Sequence, residues 1–282
     1  MRSHSRNILA GVLAGLLVVG AAGAASAQAG APDIKRPEEQ VLRILTPKDG
    51  EPLGALARAN LDKPRPKPPF DLTGTWRFER EVSSGGWEFH PVPTLTPVAK
   101  AEHDAYLKAK AEGKNYKDDA GACYPPGMPR ILTRVWPMQV IQLPTMIVMI
   151  HGFGNHVRWI YMDGRKATPA DEIIPSFNGE SIGRWEGDTL VVETTGIRAD
   201  HHWMQLGIPT SDKLKIVERI KLTNDGNTFT DEMTMTDPDM WEGPWVNTKK
   251  FNLRDDADIF EVNCIAEEQN KLPSANPKFN VR

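Results

Sequence analysis

Two acidic residues occupy positions where a β-strand would otherwise carry apolar side chains. Glu218 lies in the segment LKIVERIKL and Asp231 in TFTDEMTM, each in the alternate row that holds Ile, Leu, Phe and Met. A carboxyl group on the inner face of a sheet loses hydration, so it must pair with a cation or keep its proton. A carboxyl group of this kind suits general acid–base catalysis. If the protein is an enzyme, Glu218 and Asp231 are candidate catalytic residues.

The two acids belong to one predicted β-hairpin. A two-residue turn at Asp225-Gly226 joins the strands, because this dipeptide favours tight hairpin turns. The turn fixes the cross-strand pairs, which place Met233 opposite Glu218 and therefore on the inner face as a ligand-binding candidate. The predicted inner pairs are Leu222–Phe229, Ile220–Asp231, Glu218–Met233 and Ile216–Met235.

A second predicted hairpin, TMIVMIHGFGNHVRWIYMDG, supplies the cation that the two acids need. Its turn sets His151 opposite His156, and Arg158 follows on the same face. Arg158 is the first candidate partner of Glu218 and Asp231, while His151 is a candidate ligand contact. His156 is a third candidate catalytic residue. Both faces are largely apolar, which predicts that the hairpin is covered on both sides.

A third hairpin, SIGRWEGDTLVVETTG, and the loop after it supply further candidates. Arg184 is the second candidate partner of the acids, although its row also holds glutamates and is typical of a solvated face. His202 and Trp203 lie in RADHHWMQLG, a stretch without clear periodicity. Clustered His and Trp on a loop suit a ligand-gating lid, and surface histidines are the alternative interpretation.

The sequence predicts β-strands over most of the chain that follows the proline-rich region. About ten predicted strands begin with GTWRFER and continue from position 138 to position 264, joined by short turns. One helix is predicted after Thr96, with Pro97 at its first position. Many hairpins without alternating helices favour an all-β fold, an antiparallel barrel of the calycin type. A β-sandwich is the alternative. The predicted strands are 138–143, 145–151, 156–163, 181–186, 189–195, 213–222, 228–236, 246–253 and 259–264.

The N-terminal part of the chain divides into two regions before the barrel. Residues 1–27 carry two arginines, an apolar run and an Ala-x-Ala site, which together indicate a secretory signal peptide. Residues 28–70 are polar and rich in proline, which predicts an extended arm or linker, and 71–282 form the predicted barrel domain. Removal of 1–27 takes the formal charge from −3 to −5, since two arginines and no acids are lost. This charge favours neither nucleic acid nor an acidic membrane surface.

Cys123 and Cys264 are the only two cysteines of the 282 residues. In an oxidising compartment such a pair predicts a disulfide, and two thiols without neighbouring ligands argue against structural zinc. The sequence contains no G-x-S-x-G nucleophile elbow, phosphate loop or dinucleotide-binding fingerprint. We therefore expect no metal and no cofactor.

Several blocks resemble a group of secreted bacterial proteins of unsettled activity. The blocks are CYPPGMPR, VRWIYMDGR, SIGRWEGDTLVVETTG, DPDMWEGPW and EVNCIAEEQN. The resemblance covers about 123–268 and implies no catalytic residues. The Gly74-x-Trp76 pattern in DLTGTWRF also resembles the first strand of lipocalin-type barrels, which implies a barrel with an internal pocket.

These observations predict an exported, secreted or periplasmic protein that binds a small, largely apolar or amphipathic molecule in a barrel pocket. Inward Met, Ile and Phe rows with a few polar residues suit such a site. A lyase, hydratase or isomerase acting by acid–base catalysis in the same pocket is the first alternative. A non-catalytic envelope interaction module is the second. The mature chain is expected to have no membrane span, and its oligomeric state is undetermined.

Overall fold

The structure is a computed structural model in which residues 53–79, 86–114, 116 and 118–265 are described. These residues belong to one compact unit that begins at Leu53. The predicted signal peptide and residues 28–52 of the predicted arm lie outside the described residues. Within the described ranges, no helix combines the length and apolar character needed to cross a bilayer.

Nine strands form a closed barrel, which confirms the all-β barrel prediction and replaces the sandwich alternative. Around the barrel the order is β1, β11, β10, β9, β6, β5, β4, β3, β2, and back to β1. A separate two-stranded sheet consists of β7 and β8. The strands are β1 Gly74–Phe78, β2 Met138–Gln142, β3 Met146–His151, β4 His156–Tyr161, β5 Glu180–Glu186, β6 Thr189–Thr195, β7 Trp203–Gln205, β8 Ile208–Pro209, β9 Lys215–Leu222, β10 Thr228–Thr236 and β11 Trp245–Leu253.

The barrel departs from the predicted all-antiparallel arrangement at one junction. Strands β4 and β5 run parallel, with Ile160 opposite Ser181 and Tyr161 opposite Ile182. A parallel pair needs a connection of a dozen or more residues, and the stretch between Tyr161 and Glu180 provides one. The prediction missed this crossover because alternation within a strand carries no information about the strand's direction.

Two helices precede most of the barrel. Helix α1 spans Arg58–Leu61, and helix α2 spans Pro97–Ala111. The α2 boundary agrees with the prediction, since the Thr96 side chain accepts a hydrogen bond from the Ala99 amide and Pro97 occupies the first helical position. One predicted strand is wrong: residues 259–264 form none. Their segment instead contacts the turn between β3 and β4, where the Asn155 side-chain amide donates to the Phe260 carbonyl at 2.9 Å.

The predicted disulfide is present. Cys123 and Cys264 are bonded, with their Cα atoms 5.4 Å apart. Cys123 directly follows a short 3-10 helix, Asp119–Ala122. The bridge therefore attaches the segment that follows β11 to the long connection between α2 and β2.

The barrel interior is filled by one continuous hydrophobic core. Trp76 packs edge-to-face on Phe229 at a centroid distance of 4.8 Å, and Phe229 stacks on Phe251 at 4.6 Å. The predicted register between β9 and β10 is confirmed at each of the four inner pairs. A hairpin register depends on its turn and on burial of one face, and here both agree.

The outer wall of β2, β3 and β4 is less covered than predicted. Ile141, Val148 and Trp159 lie side by side on adjacent strands. Ile141 is 44% exposed and Trp159 is 52% exposed. The prediction that both faces of the β3–β4 hairpin are covered is therefore wrong at Trp159, because no layer of the described chain covers this position.

The described end of the proline-rich segment packs against one end of the barrel. Gln142 joins the two: its side-chain nitrogen donates to the Phe70 carbonyl at 2.9 Å, and its side-chain oxygen accepts from the Leu72 amide at 3.1 Å. The Phe70 ring meets the Trp185 ring edge-on at 4.8 Å. Residues 61–71 thus lie beside the β2–β3 and β5–β6 turns.

Candidate functional site

An ion pair in the barrel interior joins two of the predicted site residues. Arg158 contacts both carboxylate oxygens of Glu218: Nη1 donates to Oε1 at 2.8 Å, and Nη2 donates to Oε2. The Glu218 side chain is fully buried and the Arg158 side chain is 1% exposed. Two parallel N–H to oxygen bonds fix the geometry of such a pair and strengthen it. The prediction that Arg158 is the partner of Glu218 is confirmed.

Hydroxyl groups from two neighbouring strands complete the shell around Arg158. Its Nε donates to Ser181 Oγ at 3.1 Å, and Nη2 also donates to Thr194 Oγ1 at 3.0 Å. The two hydroxyl oxygens are 2.9 Å apart and share a hydrogen bond. A buried guanidinium needs oxygen partners for its N–H groups, and β5 and β6 supply them.

Asp231 faces the same cluster but takes part in no ion pair among the described residues. It is 1% exposed, and its Oδ1 has no hydrogen-bond partner among the described residues. Burial, followed by the charge of Glu218, raises the pKa of Asp231 well above its usual value of 3.8. One arginine thus faces two carboxyl groups, and the arrangement favours a proton on Asp231 that it donates to Glu218.

We expect Asp231→Asn to change the pH dependence of stability. A carboxyl group whose pKa is raised on folding stabilises the fold fully below pH 3.8, and this contribution is lost as the pH rises through the raised value. Asn does not titrate, and its amide can still donate to Glu218. The free energy of unfolding of the variant should therefore gain on wild type above about pH 4, by at most about 1.4 kcal/mol per pH unit.

Urea unfolding between pH 4 and pH 8 measures this difference. Glu232→Gln is the matched control, since Glu232 is the next residue on β10 and its side chain is exposed. Parallel pH profiles for wild type and Asp231→Asn would show that Asp231 titrates alike in the folded and unfolded chains, and would contradict the assignment.

The cluster is enclosed by apolar side chains. Met149 lies opposite Arg158, and Val192 and Met233 flank Glu218 on its two neighbouring strands. One step towards the Phe70 end, Ile147 lies opposite Ile160. All five of these side chains are at most 1% exposed. A substrate could reach the acids from that end only if the Ile147–Ile160 pair moved.

The two histidines of the β3–β4 hairpin lie beyond the cluster, at the opposite end of the barrel from Phe70. Their predicted pairing is confirmed, since His151 is opposite His156. Burial, with a smaller effect of the nearby Arg158 charge, lowers the pKa of His151 to about 3, so it is neutral. Burial also lowers the pKa of half-buried His156. His151 Nε2 has no partner within the described chain.

Arg184 does not join the cluster. Its side chain is 51% exposed on the outer wall, where it pairs with Glu186 and Glu193 at 2.8 Å each. The suggestion that Arg184 is the second partner of Glu218 and Asp231 is therefore wrong. On β5, Ser181 is buried on the inward face and Arg184 is exposed on the outward face. This agrees with the alternative interpretation, in which the row of Arg184 is solvated.

His202 and Trp203 do not form an exposed lid. Both are buried, and Trp203 begins strand β7. The His202 Nδ1 atom lies 2.7 Å from Thr210 Oγ1, and the Trp203 indole donates to Asp119 at 2.7 Å. Burial lowers the pKa of His202 to about 4. The short β7–β8 hairpin had too few alternating residues to be recognised in the sequence.

Lys249 is an interior charge that the sequence interpretation missed. It is fully buried, lies opposite Asp231 on the neighbouring strand, and donates from Nζ to the Gly86 and Glu88 carbonyls at 2.9 and 2.7 Å. Burial lowers its pKa to about 8. The alternation Trp245, Asn247, Lys249, Phe251 in WVNTKKF was the available signal, because it places Lys249 in the inner row.

An open cleft of about 740 Å³ lies at the end of the barrel next to the proline-rich segment. Apolar side chains from distant parts of the chain line it, together with Gln142 and several charged residues. None of the acids predicted as catalytic lines it. Its apolar lining residues include Leu61, Pro66, Pro68, Pro69, Leu143, Pro144, Ile147, Met162 and Trp185.

Within the described residues, no group of three or more His, Cys, Asp or Glu side chains could hold a metal ion.

In comparisons with known proteins, no protein-family model matches the sequence and no curated protein is significantly similar to it. The resemblance to a group of secreted bacterial proteins therefore stays a prediction. The class that the structure defines is a closed, mixed nine-stranded β-barrel with a buried ion pair and an end cleft.

Proposed function

We propose that this is an exported protein that binds a small, largely apolar molecule in the cleft at the end of the barrel. The observation that carries the proposal is the cleft itself, whose volume of about 740 Å³ falls in the range of small-molecule sites. The cleft is mainly apolar, with Gln142 and five charged residues in its lining. This combination favours burial of an apolar body while leaving a polar end in contact with water.

The proposed binding site lies away from the buried charged residues that the sequence singles out. Glu218, Asp231 and Arg158 pair with one another in the filled interior, so their bonds are satisfied largely without a ligand. Ile147 contacts both regions, since it lines the cleft and closes the layer above Arg158. We infer that the ion pair supports the floor of the cleft and that Trp185 contacts the ligand.

Acid–base catalysis is the second candidate function, and the raised pKa of Asp231 is the observation that favours it. A buried carboxyl group with a raised pKa can act as a general acid. This function requires a substrate to pass the Ile147–Ile160 pair. The cleft needs no such movement and is the better-supported site.

Trp185→Ala tests the proposed site. Trp185 lines the cleft and packs against Phe70, so its loss removes a large apolar contact surface. We expect the affinity for the uncharged dye Nile red, measured by fluorescence titration, to fall about tenfold, as for loss of about 1.4 kcal/mol of apolar contact.

Trp159→Ala is the matched control. It removes the same side chain from the outer wall, where Trp159 is 52% exposed and does not line the cleft. Urea unfolding of both variants separates loss of binding from loss of folding. A dye affinity that depends on Trp159 and not on Trp185 would place the apolar site on the outer wall and overturn the proposal.

A further inference from the structure

We propose that the ligand of this cleft carries an anionic head group, of which a carboxylate is the simplest form, and that Arg65 binds it. The inference rests on the proposed function, because it names the chemistry of a molecule held in the same cleft. Three cations, Lys63, Arg65 and Lys67, line the cleft on one side. All three come from the proline-rich segment, so the positive charge is concentrated on the wall opposite the barrel.

Arg65 is held in place before any ligand arrives. Its Nη1 donates to the Asn60 carbonyl at 2.6 Å and to the Lys63 carbonyl at 3.1 Å, and its Nη2 donates to Asn60 Oδ1 at 2.7 Å. Asn60 is itself fixed, since its side-chain nitrogen donates to Gly54 and Asp163. A guanidinium that is already ordered loses little conformational entropy when it binds an anion.

The charge of Arg65 is not neutralised by these contacts. The three acceptors are uncharged oxygens, and in the described part of the chain no carboxylate pairs with Arg65, Lys63 or Lys67. A guanidinium has five N–H donors, and three are used here, so two remain for a ligand. Those two donors can bind an oxyanion.

The acidic residues of the cleft do not cancel this surplus. Asp163 is engaged by Arg165, whose Nε donates to Oδ1 at 2.8 Å, and this bond lowers the pKa of Asp163. Asp71 accepts from the Thr73 amide at 2.8 Å. With Asp163 paired to Arg165, the lining keeps three cations against Asp71 alone. An apolar molecule with one negative charge complements both the floor and this wall.

The test compares decanoate with 1-decanol, which share an alkyl chain and differ in head-group charge. Isothermal titration calorimetry at low ionic strength should show decanoate binding about tenfold more tightly, equivalent to about 1.4 kcal/mol. Added salt should reduce this preference, because the rim of the cleft is open to solvent. In Arg65→Gln and in Lys67→Gln the ratio of decanoate affinity to 1-decanol affinity should fall, because each variant loses a charge that attracts the carboxylate and not the uncharged alcohol.

Lys108→Gln is the matched control, since it removes one exposed lysine from helix α2 away from the cleft. Arg65→Gln could disturb the proline-rich segment, because Arg65 is hydrogen-bonded to Asn60. Lys67→Gln keeps the test decisive in that case, because the Lys67 side chain is exposed. Equal affinity of the two ligands for wild type would overturn the head-group inference and leave the apolar site standing. Preference for decanoate that survives both cleft variants would also overturn it. Failure of both ligands to bind would instead reject the proposed function.

Discussion

Arg158→Met is expected to destabilise the protein by about 3–5 kcal/mol at pH 7. The substitution keeps much of the apolar volume of the side chain but removes the cation that forms the buried ion pair with Glu218. The remaining carboxylate is then buried without a counter-charge, beside the second acid Asp231. Ser181 and Thr194 lose their donor as well. Removal of one partner of a buried pair is costly because the other partner stays desolvated.

The same variant should recover stability as the pH falls. Without Arg158, Glu218 can become uncharged only by binding a proton, so the gap between variant and wild type should narrow from pH 7 towards pH 4. Urea unfolding across this range measures the gap. The double substitution Arg158→Met with Glu218→Met should restore most of the loss, because a buried ion pair can often be replaced by apolar side chains.

Arg184→Met is the control for this experiment. It makes the same chemical change on the outer wall, where the side chain is 51% exposed. Exposed ion pairs contribute little to stability because water solvates both charges, so the variant should resemble wild type. Equal effects of the two substitutions would mean that the Arg158–Glu218 pair is solvated, and would contradict the interior cluster.

Loss of the disulfide is the second large expected effect. Cys123 and Cys264 are 141 residues apart in sequence, so the bridge removes many conformations from the unfolded chain. We expect the double variant Cys123→Ser, Cys264→Ser to lose about 2–4 kcal/mol of unfolding free energy. The segment 254–265 should be released first, because it forms no strand and its Phe260 carbonyl is bonded to Asn155 in the turn between β3 and β4.

Urea unfolding with and without dithiothreitol measures this contribution. The reductant should lower the midpoint of wild type and leave the double serine variant unchanged, which separates the bridge from other effects of the reagent. Mass analysis under non-reducing conditions checks that wild type contains the bond. A wild-type midpoint that ignores reduction, with the bond shown to be broken, would contradict the expected stabilisation.

Much of the barrel wall could be predicted because strands have a period of two. Alternation in LKIVERIKL and TFTDEMTM identifies the inner row, and the Asp225-Gly226 turn sets the pairing that the structure confirms. The same reasoning places Arg158 and His151 inside. Lys249 was open to the same reasoning, but with Lys250 beside it the pair resembles a solvated face. Alternation indicates the face of the strand on which a residue lies, but not which side chains surround it.

The order of strands around the barrel could not be predicted from local sequence patterns. Alternation gives no indication of which strands meet when the sheet closes, so the parallel β4–β5 contact was not predicted. This closure, with the next strand β6, brings Ser181 and Thr194 to Arg158. It also leaves Trp159 exposed, although its sequence neighbourhood resembles that of buried residues.

By itself, the sequence determined that inner rows contain two acids, that one hairpin carries an arginine on the matching face, and that the two cysteines form a natural pair. These features follow from local geometry and from composition. Only the tertiary structure decided that Arg158 reaches Glu218 in a filled interior, and that Arg65 and Trp185 line one cleft. Both depend on contacts between residues far apart in sequence, which form only when the barrel closes and the proline-rich segment packs against its end.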